Sequence, residues 1–214
     1  DIVHLHTARG HALGVLASRF GAKVPLVLTK RTIFPVKNIS KYEYPGIKKY
    51  IAISNAVKTT LMQSTAIQAS QIDIIYSSIE LNEYKVQSAG FKQKNNLEDK
   101  ICIANTSALT VEKDYKTFFK AAKIVIESNP NVFFIAIGSG NREFELKSYV
   151  KELGIESNVI FTGFINNVKE VLVEMDIFCM TSTQEGLGSS LLDAMALKLP
   201  IVATNAGGMK ELVL

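Results

Sequence analysis

Between Asp176 and Glu211 the chain runs twice from a strand-sized apolar segment into a glycine-broken loop. The first segment, Asp176 to Met180 (DIFCM), enters a polar turn carrying Glu185, then Gly186, Gly188 and the pair Ser189-Ser190. A short apolar helix carrying Asp193 follows and ends at Pro200. The second strand, Ile201 to Thr204, leads to Gly207-Gly208 and Glu211. Two strands joined through a helix form a parallel pair. Both loops then lie at carboxyl ends of parallel strands, where open α/β sheets bind their ligands.

The same alternation runs through the whole chain. Ile2 to His6 reads as a strand, and Gly10 to Phe20 as a helix whose apolar face is Leu13, Leu16, Ala17 and Phe20, stopped by Gly21. Val24 to Thr29 is a second strand. Lys30 to Lys49, broken by Pro35, Pro45 and Gly46, reads as a surface loop with room for one helical turn. Tyr50 to Ile53 is a strand, Ser54 caps a helix to about Ser64, and Ile72 to Tyr76 is a further strand. Phe91 to Lys100 is almost wholly polar and divides the chain into residues 1–90, a linker at 91–100, and residues 101–214. Beyond it the pattern predicts strands at Ile101–Asn105, Val132–Ile137 and Val159–Thr162. Helices are expected from the Asp114 cap to Pro130, over Arg142–Leu153, and from Asn166 or Asn167 to Glu174.

The composition, 47% hydrophobic and 21% charged, is that of a globular protein, and no apolar run approaches a membrane span. Cys102 and Cys179 lie in apolar strand patterns, so a reducing, cytoplasmic setting is expected rather than a disulfide framework. The chain begins at Asp1 inside a strand pattern and stops soon after a glycine loop, which reads as a piece of a longer protein. Charge is uneven. Residues 1–90 hold eleven Lys/Arg against five Asp/Glu, and residues 91–214 thirteen against fifteen. A basic half suits an anionic partner or membrane surface, or is a solvated face.

Backbone amides at a helix start, freed by glycines, make an anion site, and Gly186, Leu187, Gly188, Ser189 and Ser190 have that form. Glu185 just upstream would repel a phosphate unless it faces a neutral hydroxylated group such as a sugar; the alternative is a turn residue. Asp193 either accepts from ribose hydroxyls or is a solvated helix position.

The run E-G-L-G-S-S-L-L-D-A-M-A-L-K-L-P-I-V-A-T-N-A-G-G-M-K-E (185–211) resembles the nucleotide-sugar signature of family-4 glycosyltransferases. In that pattern two glutamates frame seven residues. Glu185 matches the first, and Asp193 stands at the second, one methylene shorter. Gly138-Ser139-Gly140 is similar to the family's G-x-G strand end, and Gly163-Phe164 to its T-G-F/Y turn. Glu112-Lys113-Asp114 is similar to E-K-G, and Ser77-Ser78-Ile79-Glu80 stands at N-G-V/I-D. Asp1 to His6 is similar to D-x-V-H-x-H. Where the family often has an arginine five residues before the lysine, this chain has Ala108.

The resemblance implies a GT-B fold, two Rossmann-like α/β domains with parallel sheets facing across a cleft, the N-terminal one incomplete. It implies sugar transfer from a nucleotide-diphospho-sugar to a glycan or lipid-linked acceptor, with retention at the anomeric carbon. No metal or other cofactor is expected, in keeping with the lack of a D-x-D motif, and no nucleic acid. By the same resemblance Lys113 meets the diphosphate, Glu185 the sugar and His6 the reacting centre. Gly138 and Gly140 join residues 186–190 and Asp193 on the donor side, and Arg9 and His11 lie on the acceptor side. Peripheral membrane contact would come through the basic half. Residues 1–214 alone are expected to be inactive or nearly so. The alternatives are an epimerase- or phosphorylase-like enzyme on the same fold and a non-catalytic nucleotide-sugar-binding protein.

Overall fold

The computed structural model describes residues 1–21 and 23–213. Its N-terminal unit contains β1 (Val3–Leu5), α1 (Ala8–Arg19), β2 (Leu26–Lys30), α2 (Ile39–Tyr42), β3 (Ile47–Ala52), α3 (Asn55–Ser64) and β4 (Ile72–Ile74). The four strands pair in sequence order and are all parallel. The C-terminal unit contains α4 (Phe91–Lys94), β5 (Ile101–Thr106), α5 (Tyr115–Ser128), β6 (Val132–Ile137), α6 (Glu143–Glu152), β7 (Val159–Gly163), α7 (Lys169–Leu172), β8 (Ile177–Met180), α8 (Ser189–Ala196) and β9 (Ile201–Ala203). Its sheet is also parallel, in the order β7-β6-β5-β8-β9.

Strand residues point alternately to the two faces of a sheet, and in the C-terminal unit each face has its own core. Cys102, Ala104, Ile135 and Phe178 pack with Leu172, Leu191 and Ala194 on one side. Ile103, Phe134 and Ala136 pack with Tyr115, Phe118, Phe119 and Leu146 on the other. The result is a three-layer α/β unit. The N-terminal unit has one described core, around Leu26, Leu28, Tyr50, Val57 and Leu61.

Two sequence expectations are corrected here. The buried residues of α1 are His11 and Val15, while Leu13, Leu16 and Phe20 are exposed. Gly14 lets the helix settle on Leu5, whose side chain fills the space a Cβ would need, and this turns the leucine face outward. Second, residues 91–100 are folded onto the C-terminal unit. The Phe91 and Lys92 amides donate to Glu174 (both 2.7 Å), Lys92 pairs with Asp176 (2.7 Å), and Leu97 is buried in the core. Polar composition hid this because the segment is anchored by hydrogen bonds and one leucine.

Strand order reverses at β5, which lies between β6 and β8. The loops leaving β5 and β8 therefore diverge at the switch point of the sheet, where a crevice opens. Those loops carry Lys113 and Glu185. Among the described residues no helix is long and apolar enough to cross a membrane.

Candidate active site

Lys113 ends a 3-10 turn, Val111–Lys113, and Asp114 follows it in the left-handed conformation (φ 45°). Aspartate tolerates that region better than most residues, and here it also caps α5: the Thr117 amide donates to its Oδ1 at 3.3 Å and the Thr117 hydroxyl to its Oδ2 at 2.7 Å. The turn is tied to the β8 loop. The Thr181 hydroxyl donates to the carbonyls of Lys113 (3.2 Å) and Asp114 (3.0 Å), and the Thr183 amide to Glu112 (2.9 Å).

These ties bring the Lys113 ammonium into an ion pair with Glu185 Oε1. The Ser182 hydroxyl donates to the same oxygen at 3.0 Å. The two charged side chains are only 19% and 11% exposed, so water screens them little. Either one left alone would be costly in that setting.

Behind Glu185 the two glycine loops meet backbone to backbone. The Gly208 amide donates to the Glu185 carbonyl at 3.0 Å. A Cβ on Gly207 would come within 2.1 Å of that oxygen, and one on Gly208 within 2.1 Å of the Gly186 carbonyl. The Gly207-Gly208 loop is thus the platform that sets the Glu185 loop. The backbone amides of residues 186–190 donate to no backbone carbonyl among the described residues outside α8. The Ser190 hydroxyl donates to Thr106 at 3.0 Å.

Beside this loop a cavity of about 410 Å³ lies at the ends of β5, β6 and β7. Thr106, Ala108, Gly138, Ser139, Phe164 and Ser190 are among its lining residues. Gly140 is not among them; it packs on the Leu109 backbone, 2.4 Å from where its Cβ would stand. Ala108 leaves its part of the wall without a cation. Asp193, one helical turn past Ser190 on the same face, accepts a hydrogen bond from the Tyr84 hydroxyl. Burial, with Asp193 and Glu83 nearby, pushes the Tyr84 phenol well above its ordinary pKa. Lys169 stands 4.3 Å from the Tyr84 ring centre and pairs with Glu83 at 2.6 Å. Neither Ser77 nor Ser78 has a positive φ, so the turn there needs no glycine.

The N-terminal unit abuts the same loop. A Cβ on Gly186 would lie 2.1 Å from the Arg31 carbonyl, and the Ser54 hydroxyl donates to the Gly186 carbonyl at 2.5 Å. Leu187 is buried in the N-terminal core. Glu211 accepts from the amides of Asn55 (2.8 Å) and Ala56 (2.9 Å) at the start of α3, from the Asn55 side chain (2.9 Å), and from the Tyr76 hydroxyl (2.9 Å).

His6 is exposed and lines a smaller cavity with Thr7 and Arg31. Its ring lies 3.9 Å from that of His4, which is held by the Thr29 hydroxyl at 2.7 Å. Arg9 is exposed on the first turn of α1. His11 is the exception among the expected site residues. It is 2% exposed, bonded to the Lys41 carbonyl at 3.0 Å and packed edge-on against Tyr42 at 4.7 Å. Burial, then the Lys41 charge, push its pKa down to about 4 against the pull of that hydrogen bond. Its ring also borders the cavity that His6 lines.

Sequence reading passed over Lys30, Arg31, Ser54, Tyr84 and the reach of Glu211 into the other unit. Ser54 was legible only as a helix cap, which it also is, through the Val57 amide at 3.1 Å.

Two parallel-sheet α/β units whose carboxyl ends converge on one cleft define the GT-B architecture. Residues 87–214 match the family model described as glycosyl transferases group 1, and residues 1–83 match the model for glycosyltransferase family 4. The chain belongs to the group 1 glycosyl transferases. It is 26% identical, over its whole length and 61% of the relative, to the putative glycosyltransferase EpsD of Bacillus subtilis. It is 25% identical, over 60% of the relative, to the UDP-Gal:alpha-D-GlcNAc-diphosphoundecaprenol alpha-1,3-galactosyltransferase of Escherichia coli. The crystal structure of HepE from Anabaena in complex with UDP and glucose superposes with a TM-score of 0.88 at 24% identity, covering all of this chain and 62% of that one. The chain thus spans 60–62% of the length of these relatives.

Proposed function

We propose that this chain forms the greater part of a retaining glycosyltransferase. It would move a sugar from a nucleotide-diphospho-sugar to a glycan or lipid-linked acceptor without a bound metal. The observation that carries the reading is the Lys113–Glu185 pair, set at the switch point of the C-terminal sheet, with Glu185 one residue before Gly186, against which the N-terminal unit rests. A cation and a carboxylate side by side match the two ends of a sugar diphosphate. Lys113 and the open amides of 186–190 take the phosphates, and Glu185 takes the sugar hydroxyls.

As the bond from the anomeric carbon to the diphosphate oxygen breaks, its electron pair leaves on that oxygen. The acceptor hydroxyl forms the new glycosidic bond and gives its proton to the departing diphosphate oxygen. Fixed dipoles and a positioned cation stabilise the growing diphosphate charge, with no reorganisation at the moment of reaction. The 410 Å³ cavity takes the nucleoside base, with the exposed Phe164 ring as a stacking surface. Asp193 keeps lone pairs free beyond its bond to Tyr84 and can accept from a ribose hydroxyl. His6 faces the acceptor side, and the basic N-terminal half provides for contact with a membrane surface.

The full-length protein, given labelled nucleotide-sugars with and without candidate acceptors, tests this. UDP-sugars come first, because HepE binds UDP-glucose. Acceptor-dependent transfer with the anomeric configuration kept, abolished by Glu185→Gln and resistant to chelators, is the expected result. Conversion of the sugar without an acceptor, or binding without transfer, would contradict it.

A further inference from the structure

A lysine at the end of β2 lies almost wholly inside the N-terminal unit. Lys30 is 6% exposed, yet no carboxylate of the described residues lies within ion-pair distance of it. Its ammonium donates to the Phe34 carbonyl at 2.9 Å, reaches the Thr32 hydroxyl only at 3.4 Å, and stands 5.9 Å from the Tyr42 ring centre. Those neutral partners leave donor capacity on a buried charge, a costly arrangement unless an anion completes it. Burial lowers the Lys30 pKa accordingly.

Lys30 borders the cavity that His6 also lines, about 150 Å³ in volume, with Thr7, Arg31 and Thr32 among its other walls. No lining residue is acidic. Arg31 is exposed and makes no ion pair among the described residues. The first turn of α1 opens onto the cavity and carries no acidic residue, so its positive end adds to the field. The volume is below the roughly 300 Å³ of pockets that enclose a whole small molecule, and suits a single anionic group. The Arg31 carbonyl rests against Gly186, so the cavity shares a wall with the loop that carries Glu185.

We propose that this cavity binds a phosphate group on the acceptor, with Lys30 and Arg31 as its cations. The proposal rests on the transfer reading above and narrows it: the acceptor bears a phosphate ester or diphosphate near the hydroxyl that receives the sugar. The source is either a soluble phosphate ester or a lipid headgroup.

The test is direct binding on the full chain. UDP is first added to saturation, so that the donor side is filled. Glycerol 3-phosphate is then titrated by calorimetry, and co-sedimentation is measured with phosphatidylcholine vesicles with and without phosphatidic acid. Binding in at least one arm is expected, weakened tenfold or more in Lys30→Met and in Arg31→Gln and unchanged in Lys120→Gln, an exposed lysine of α5. The responding arm identifies the source. Arg31 is exposed, so its variant keeps the test open if Lys30→Met fails to fold. No phosphate binding in either arm, or binding indifferent to Arg31→Gln, would overturn the proposal. Failure of UDP to bind at the first step counts against the transfer reading alone, since the phosphate arms are still read.

Discussion

The two sides of the cleft are built differently. On the C-terminal side the working surface is backbone: glycine loops stacked against each other, open amides, and a Lys113–Glu185 pair positioned by the Thr181 hydroxyl on the Lys113 turn and the Ser182 hydroxyl on Glu185. On the N-terminal side it is side chains, His6, Lys30 and Arg31, set at strand ends. Backbone geometry admits few residue types, whereas a side-chain surface can change identity while the fold stays the same. Under the proposed function, the first side would meet a donor whose diphosphate is constant, and the second an acceptor that differs from one enzyme to another.

The largest expected effect lies on the backbone-built side. Gly207→Ala places a Cβ 2.1 Å from the Glu185 carbonyl at a residue with φ 56°. The clash is with main chain, which cannot swing away. We expect a loss of about 3 kcal/mol or more in thermal or urea denaturation, together with loss of nucleotide binding. A variant of native stability would show that the loops are not stacked as described.

The contact joining the two sides comes next. Burial alone would raise the Glu211 carboxyl, but the Asn55 and Ala56 amides, the Asn55 side chain and the Tyr76 hydroxyl outweigh it, and its pKa lies below the ordinary value. A depressed carboxylate contributes stability that is fully present above its unfolded pKa, about 4.3. That stability is lost as pH falls through the lower, folded-state value. Glu211→Gln is expected to cost about 2 kcal/mol at neutral pH and to flatten stability between about pH 5 and pH 3. An unaltered acid limb would remove Glu211 as the link.

The smallest effect is expected on the outer face of α1. Leu16→Ser should change stability by no more than about 0.5 kcal/mol, because Leu16 is exposed. A large loss would restore the leucine face as the buried one.

Legibility in the sequence followed the same division. Strand and helix order was readable because the C-terminal strands are largely apolar and most helices are closed by a cap, a glycine or a proline. An exception is α7, with Val168 at its N-cap and no side-chain cap where Asn166 or Asn167 was expected. Asp114 and Ser54 cap the helices expected of them. The Glu185 loop was readable because its glycines are dictated by backbone contact. Lys30 and Tyr84 were not, since a lysine in a basic loop and a tyrosine in a polar stretch carry no periodic signal. α1 misled because its apolar spacing favours Leu13, Leu16 and Phe20, whereas His11, Gly14 and Val15 form the face that packs.

The central claim is that Lys113 and Glu185 hold the two ends of the donor. Calorimetric titration of UDP and of a UDP-sugar into the wild type, Lys113→Gln and Glu185→Gln measures it directly. Lys113→Gln is expected to weaken both ligands by tenfold or more. Glu185→Gln is predicted to weaken the UDP-sugar while leaving UDP unaffected or bound more tightly. Equal affinity of all three proteins for both ligands would contradict it.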